Sequence, residues 1–264
     1  MSRVIACVIA RTVSTRLPLK VLRHSQPGIT MIQALIRRMK MVEQIDEIYL
    51  CTSMEGADDV LEDIAKCENI CCYRGSSDEV IERMIAVMEK ENADYLIRIT
   101  GDNPHTAYEY IDDQIEFIEE NNLDYVRLVN VPIGATAEII KSEALIKCAS
   151  SIDPSVSEYL MLFLFDPKNY KCGVLEKKGT DYSGFSVTVD TYEDLERSRK
   201  LFSDSGIDLT LNEVLRKLIS DNSEKSGIDP NTLIKLPYGK KITYREFQSD
   251  FQARINGSLK KIVE

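Results

Sequence analysis

The sequence predicts an α/β protein with a mostly parallel sheet. Three observations carry this prediction. Apolar, strand-like runs alternate with segments of helical periodicity from the first residues onward. The first run, residues 4–10, is continuously apolar, as a strand covered on both faces is. The spacing between runs leaves room for a crossover helix each time, which parallel strands require and hairpins do not.

The elements follow in order. Residues 4–10 form the first strand. Met31, Leu35, Met39 and Val42 line one face of a helix over residues 31–42. Residues 47–52 (EIYLCT) read as a strand, and Val60, Ile64 and Cys67 mark the next helical stripe. A short strand covers residues 70–73. Ser76 and Glu79 are spaced as a capping box ahead of Ile81, Met84, Ile85 and Met88. Residues 95–100 are a strand, Ile111, Ile115 and Ile118 mark a helix, and residues 124–128 are a strand. Beyond about residue 130 the pattern loosens. Residues 142–150 and 156–165 read as helices, and 169–176 and 185–189 as strands. A helix over 191–202 opens on a Thr191–Asp194 capping box, and Leu211, Val214, Leu215 and Leu218 mark another. Residues 220–231 (SDNSEKSGIDPN) are polar and turn-rich, and residues 244–255 are helical. The expected division is a main domain over 1–219 and an extension over 220–264, a linker plus a helix.

Composition narrows the function. Of 264 residues, 44% are hydrophobic and 29% charged, as in a globular protein. The net charge of −10 excludes broad coating of nucleic acid but leaves room for a local basic pocket. The longest apolar runs, residues 4–10 and 159–165, fall well short of the roughly 20 residues that span a membrane. Residues 4–10 also lack a cleavage site, so a cytoplasmic protein is expected, with neither nucleic acid nor membrane as partner. The seven cysteines contain no CxxC pair, and His24 and His105 are the only histidines. Reduced core thiols are expected rather than a zinc site.

Ligands of parallel sheets bind beyond the carboxyl ends of the strands. The first strand runs into RTVSTRLPLK. There Arg11, Arg16 and Lys20 can neutralise a polyphosphate, and Ser14 and Thr15 can hydrogen-bond its oxygens. Neither GxxxxGK[ST] nor GxGxxG occurs. Asp102 follows the strand over 95–100, where a carboxylate can hold Mg²⁺ against phosphates. Asp190 ends the strand over 185–189 at a helix start. Two strand-terminal carboxylates and a basic loop make a site for metal-assisted nucleotidyl transfer. Two such carboxylates are expected to repel each other, so replacing either by Asn is expected to leave folding intact or improve it. His105 is expected at a helix entry or on the surface.

With ARTVSTRLPLKVL, RGSSDEVIERM, RITGDNP and VTVDTYEDLE in collinear order over residues 3–205, the chain resembles the cytidylyltransferases that activate sugar acids. These include the acylneuraminate and 3-deoxy-manno-octulosonate transferases and the spore-coat polysaccharide biosynthesis protein F group. The resemblance implies a Rossmann-like nucleotide-diphosphosugar transferase fold and a homodimer. It implies CTP and Mg²⁺, with CMP passed to a small acceptor and pyrophosphate released, for surface polysaccharide biosynthesis. The acceptor would be a sugar acid, a sugar phosphate or another phosphorylated metabolite. Arg11, Ser14, Thr15, Arg16 and Lys20 fall in its triphosphate loop. Lys20, Arg16 and Asp102 would be catalytic, Asp102 and Asp190 would hold metal, and Arg74 and Ser76 belong to a segment near cytosine and ribose.

There are departures from the family pattern. The relatives read ARMGSTRLPGK, whereas here Thr12 and Val13 replace Met-Gly and Leu19 replaces Gly, removing sites suited to positive φ. Gly134-Ala-Thr136-Ala-Glu138 lacks the Asp of GxDxE, and residues 157–161 (SEYLM) lack the Arg and His of REHVT. The nucleotide half is thus expected to be retained and the acceptor half altered. The alternatives are a catalytically weakened nucleotide-binding homologue, and a transferase that uses another NTP or a nucleotide-sugar.

Overall fold

In the computed structural model, which describes residues 2–203, 205–220 and 229–264, eight strands form one central sheet. They are β1 (Val4–Ile9), β2 (Glu47–Ser53), β3 (Cys71–Gly75), β4 (Tyr95–Thr100), β5 (Tyr125–Val129), β6 (Glu138–Lys141), β7 (Cys172–Lys177) and β8 (Leu259–Val263). Their order across the sheet is β8-β7-β5-β6-β4-β1-β2-β3. β6 runs antiparallel to both its neighbours, β4 and β5, and the remaining pairings are parallel. All six side chains of β1 are buried, which explains its unbroken apolar run.

The helices are α1 (Met31–Met39), α2 (Asp59–Cys67), α3 (Val80–Glu91), α4 (Ile111–Glu120), α5 (Ser142–Ala149), α6 (Leu160–Leu164), α7 (Tyr192–Ser203), α8 (Leu211–Ser220) and α9 (Tyr244–Asn256). Two apolar cores sandwich the sheet. One packs it against α1, α2, α4, α7 and α8, the other against α3, α5, α6 and α9. Register sets Ile9 of β1 beside Cys51 of β2 and Thr100 of β4, so the loops after these strands leave the sheet side by side.

Several expectations are corrected. α2 buries Leu61 and Ala65, with Val60 and Cys67 exposed; the small Ala65 hides the docking face from an apolar count. The Ser76–Glu79 box does not form, and α3 begins at Val80 without a side-chain cap. Its first turn is served from a distance instead, because Ile81 N–H donates to Ser157 Oγ at 3.1 Å. Residues 154–165 split into a 3-10 turn at Pro154–Tyr159 and the short α6, whose Leu160 and Leu164 are buried together with Phe165. Residues 185–189 are not a strand of the sheet. They run extended beside the loop after β5, with one bridge between Ile133 and Ser186. β6 and β8 were not expected; β6 has four residues, β8 (LKKIV) carries two lysines, and only their neighbours in the sheet define them. The Thr191–Asp194 box forms as expected: Thr191 N–H donates to Asp194 Oδ2 at 2.9 Å and Asp194 N–H to Thr191 Oγ at 3.3 Å. Most of the polar stretch 220–231 lies outside the described residues. Among the described residues no helix is long and apolar enough to cross a membrane.

Candidate active site

The site begins in the loop between β1 and residue 20. Thr12 is buried, its N–H donating to Asp58 Oδ1 at 2.7 Å and its hydroxyl lying 2.6 Å from the same oxygen. Burial pushes the Asp58 carboxyl up, but hydrogen bonds from Ser53 and Thr12 outweigh it and hold the group below the usual carboxylate range. Thr12 therefore ties the loop to the end of β2. Ser14 Oγ accepts from Leu17 N–H at 3.5 Å, and buried Leu17 packs with Met31, Val189 and Leu195. That contact seats the loop against the segment carrying Asp190. Leu19 adopts φ 57°, the left-handed turn that a glycine takes without strain. For leucine the turn costs about 1 kcal/mol. Thr15 and Arg16 are exposed on the rim.

Lys20, at the end of this loop, reaches both predicted carboxylates. Its Nζ lies 2.8 Å from Asp102 Oδ2 and 2.8 Å from Asp190 Oδ1. Arg16 Nη2 stands 3.0 Å from Asp190 Oδ2. Burial pushes the Lys20 amine down, but the two aspartates more than reverse this and raise it. Burial pushes the Asp102 carboxyl up, and Lys20 and the Thr100 hydroxyl turn the shift downward. Lysine and aspartate thus hold each other charged.

The two carboxylates reach one place by different routes. Asp102 follows β4 directly, and Gly101 N–H donates to Ile9 O of β1 at 2.8 Å. Asp190 arrives on the extended segment, where Val189 N–H donates to Asp102 O at 2.9 Å. A chain of side chains braces them. Thr188 Oγ donates to Asn103 Oδ1 at 2.9 Å, Asn103 Nδ2 to Thr100 Oγ at 2.8 Å, and Thr100 Oγ to Asp102 Oδ1 at 2.6 Å. A Cβ at Gly134 would stand 2.4 Å from Thr188 Oγ and 2.7 Å from Asn103 Oδ1, so the crossing leaves no room for a side chain. Asp194 accepts from Asp190 N–H at 3.0 Å, fixing that backbone at the start of α7.

The remaining predicted residues lie further out. Arg11 Nη1 donates to Ser77 O at 3.1 Å and stands 3.5 Å from Asp78, tying the loop to the end of β3. Arg74 is turned toward α2, pairing with Asp59 at 2.7 Å and Glu62 at 3.3 Å. Ser76 is exposed. His105 is buried rather than at the surface. Its Nε2 is 2.8 Å from Ser198 Oγ, its ring stacks on Phe202, and burial pushes its pKa well below the usual value. Thr12, Asn103, Thr188 and Asp194 were missed as site residues. Asn103 sits inside RITGDNP and Thr188 beside Asp190, but their bonds join positions 85 residues apart.

Among the described residues no group of three or more metal-type side chains occurs. The site instead offers two hard carboxylates with basic groups alongside, the donor set that magnesium uses when waters and substrate phosphates complete its shell.

Known proteins share this architecture. A cytidylyltransferase from Leptospira borgpetersenii superposes with a TM-score of 0.79 at 22% identity, covering 86% of this chain and 98% of that one. CMP:2-keto-3-deoxy-manno-octonic acid synthetase in complex with CTP gives a TM-score of 0.60 at 18% identity, covering 76% and 99%. Both likenesses establish the nucleotide-diphosphosugar transferase type of fold. Spore coat polysaccharide biosynthesis protein SpsF of Bacillus subtilis is 28% identical over 214 residues, 78% of this chain and 89% of the relative. The cytidylyltransferase family model matches residues 5–165, the stretch that carries the basic loop, Asp102, Thr100 and Asn103, and the chain belongs to the cytidylyltransferase family.

Proposed function

We propose that this cytidylyltransferase passes CMP from CTP to a small acceptor and releases pyrophosphate in a Mg²⁺-dependent reaction. The observation that carries the reading is the cluster in which Lys20 and Arg16 meet Asp102 and Asp190. Bound at the two aspartates, Mg²⁺ would neutralise phosphate charge. The chain's own groups do the rest. Arg11, Ser14, Thr15, Arg16 and Lys20 bind and orient the triphosphate. Lys20 and Arg16 offset the charge that builds on the α-phosphate and on the departing pyrophosphate. Thr100 and Asn103 keep Asp102 from rotating. The edge formed by residues 74–78 is assigned to the cytosine and ribose. Arg74 acts there by shaping the edge through its bonds to α2, and Ser76 through direct contact.

The acceptor is a sugar acid, a sugar phosphate or another phosphorylated metabolite. It lies on the β5–β6 side, where the sequence departs from the family motifs. Likeness to a spore coat polysaccharide biosynthesis protein supports a product destined for a surface polysaccharide. We further propose a cytoplasmic homodimer that acts on neither nucleic acid nor membrane. A weakened homologue was the alternative suggested by the lost loop glycines. Leu19 adopts the turn a glycine would make, which favours the active reading. Titration of the four NTPs with Mg²⁺, followed by pyrophosphate release across an acceptor panel, tests the proposal. CTP is expected to bind tightly and be consumed; equal consumption of another NTP would refute it.

A further inference from the structure

Every oxygen of the two aspartates is already engaged. Asp102 Oδ1 accepts from Thr100 at 2.6 Å and Oδ2 from Lys20 at 2.8 Å. Asp190 Oδ1 accepts from Lys20 at 2.8 Å, and Oδ2 pairs with Arg16 at 3.0 Å. The two cations cancel the two anions, so the cluster has little net field with which to draw a dication. The two engagements differ in strength. Arg16 is 66% exposed and touches one aspartate, whereas Lys20 is 15% exposed and touches both. Exposed pairs are screened and part easily; a sheltered, doubly paired ammonium does not.

We infer that Lys20 is a built-in counter-ion that a divalent metal must displace, and that this displacement couples metal binding to triphosphate binding. The inference rests on the reading of Asp102 and Asp190 as metal carboxylates. Lys20 already stands between the two carboxylates that would hold a metal, 2.8 Å from each, and two cations held by one pair of carboxylates repel each other. Once released, the ammonium sits at the mouth of a loop suited to phosphate and needs a new anion. The triphosphate supplies it. Metal alone therefore binds weakly, CTP alone finds Lys20 occupied, and the two together satisfy every charge. Linkage makes the coupling reciprocal.

The test measures binding rather than turnover, on the full chain. Mn²⁺ alone is titrated into the parent, Lys20→Met and Arg16→Met proteins by calorimetry. Lys20→Met is expected to bind Mn²⁺ at least tenfold more tightly than the parent, with a clearly smaller gain for Arg16→Met. Metal-free melting temperature is expected to fall in Lys20→Met and to recover with Mn²⁺. Lys20→Gln is the second variant if the methionine form is too unstable to titrate. CTP affinity in EDTA is then measured in a double-mutant cycle. The Asp102→Asn, Asp190→Asn pair, which frees Lys20 of both partners, is expected to raise it clearly more when Lys20 is present than in Lys20→Met, because only a released lysine gains a phosphate partner. The proposal is overturned by equal Mn²⁺ affinity in the parent and Lys20→Met, by no binding to either, or by equal gains in Lys20→Met and Arg16→Met. An effect of that pair that is equal with and without Lys20 also overturns it, since that is general electrostatics. Mn²⁺ binding that survives the Asp102→Asn, Asp190→Asn pair would remove the metal reading itself, and this inference with it.

Discussion

Two halves of the molecule treat their family motifs differently. On the β1–β4 side, the motif positions carry opposite charges that meet at the surface: Lys20, Arg16, Asp102 and Asp190 satisfy one another, and each has partial access to water. On the β5–β6 side, residues of the altered motifs have turned inward. Glu138 is buried, 2.7 Å from Arg98 and 2.9 Å from the Tyr125 hydroxyl. Ser157 is buried and serves the first turn of α3. The first half can exchange internal partners for a ligand. In the second, the same kind of exchange would break the fold.

The comparison can be broken at several points, beginning where the effect is largest. Asp102→Asn and Asp190→Asn are each expected to lower turnover by about a hundredfold or more, as several kcal/mol of transition-state stabilisation is lost. Pyrophosphate release measures this. The sequence argued that such changes would spare or improve stability. With Lys20 between the carboxylates the sign reverses, and each is expected to cost about 1–2 kcal/mol through one lost charged hydrogen bond. An active variant with a lowered melting temperature would make that aspartate structural.

Next come the cations. Lys20→Ala or Arg16→Ala is expected to weaken CTP binding about ten- to hundredfold, measured by calorimetry with Mg²⁺. Melting temperature separates them: little change for exposed Arg16, a fall for Lys20, which leaves two carboxylates facing each other. Unchanged CTP affinity in both would unseat the loop. On the opposite half, Glu138→Ala is expected to cost about 3 kcal/mol by stranding Arg98, with CTP affinity intact. A stable variant with altered nucleotide binding would erase the contrast.

The lysine–aspartate pair has a pH window. Asp102 is depressed from its ordinary 3.8, so its contribution is present above that pH and is lost as pH falls through the lower folded value. Lys20 is raised from 10.5, so its contribution is present below that pH and is lost as pH rises through the higher folded value. The stability gap between the parent and Lys20→Met is expected to stay flat between these limits and to close outside them. A gap that varies near pH 7 would point to another group. The smallest effect is Leu19→Gly. Relief of about 1 kcal/mol of turn strain is offset by roughly 0.4–1 kcal/mol of added unfolded-chain freedom. Little change in melting temperature or CTP affinity is expected, because Leu19 is 49% exposed.

The sequence by itself determined the elements whose signal is local. The all-buried β1, the α7 capping box and the helical stripes of α1, α3 and α4 are set by residues within a few positions of one another. It also marked the charged groups of the site, because cations after a buried strand and a carboxylate after another have few other uses. Tertiary structure alone decided what those groups touch. Asp190 reaches Asp102 without a sheet strand beneath it, on a segment held by backbone bonds to the loop after β5 and to Asp102 itself. β6 has only four residues and β8 reads LKKIV, with two lysines in its apolar run; both exist because neighbouring strands offer them hydrogen bonds. Thr12, Asn103 and Ser157 act through partners 46, 85 and 76 residues away. Local periodicity holds no information at that range; hydrogen-bond satisfaction in the folded core supplies it.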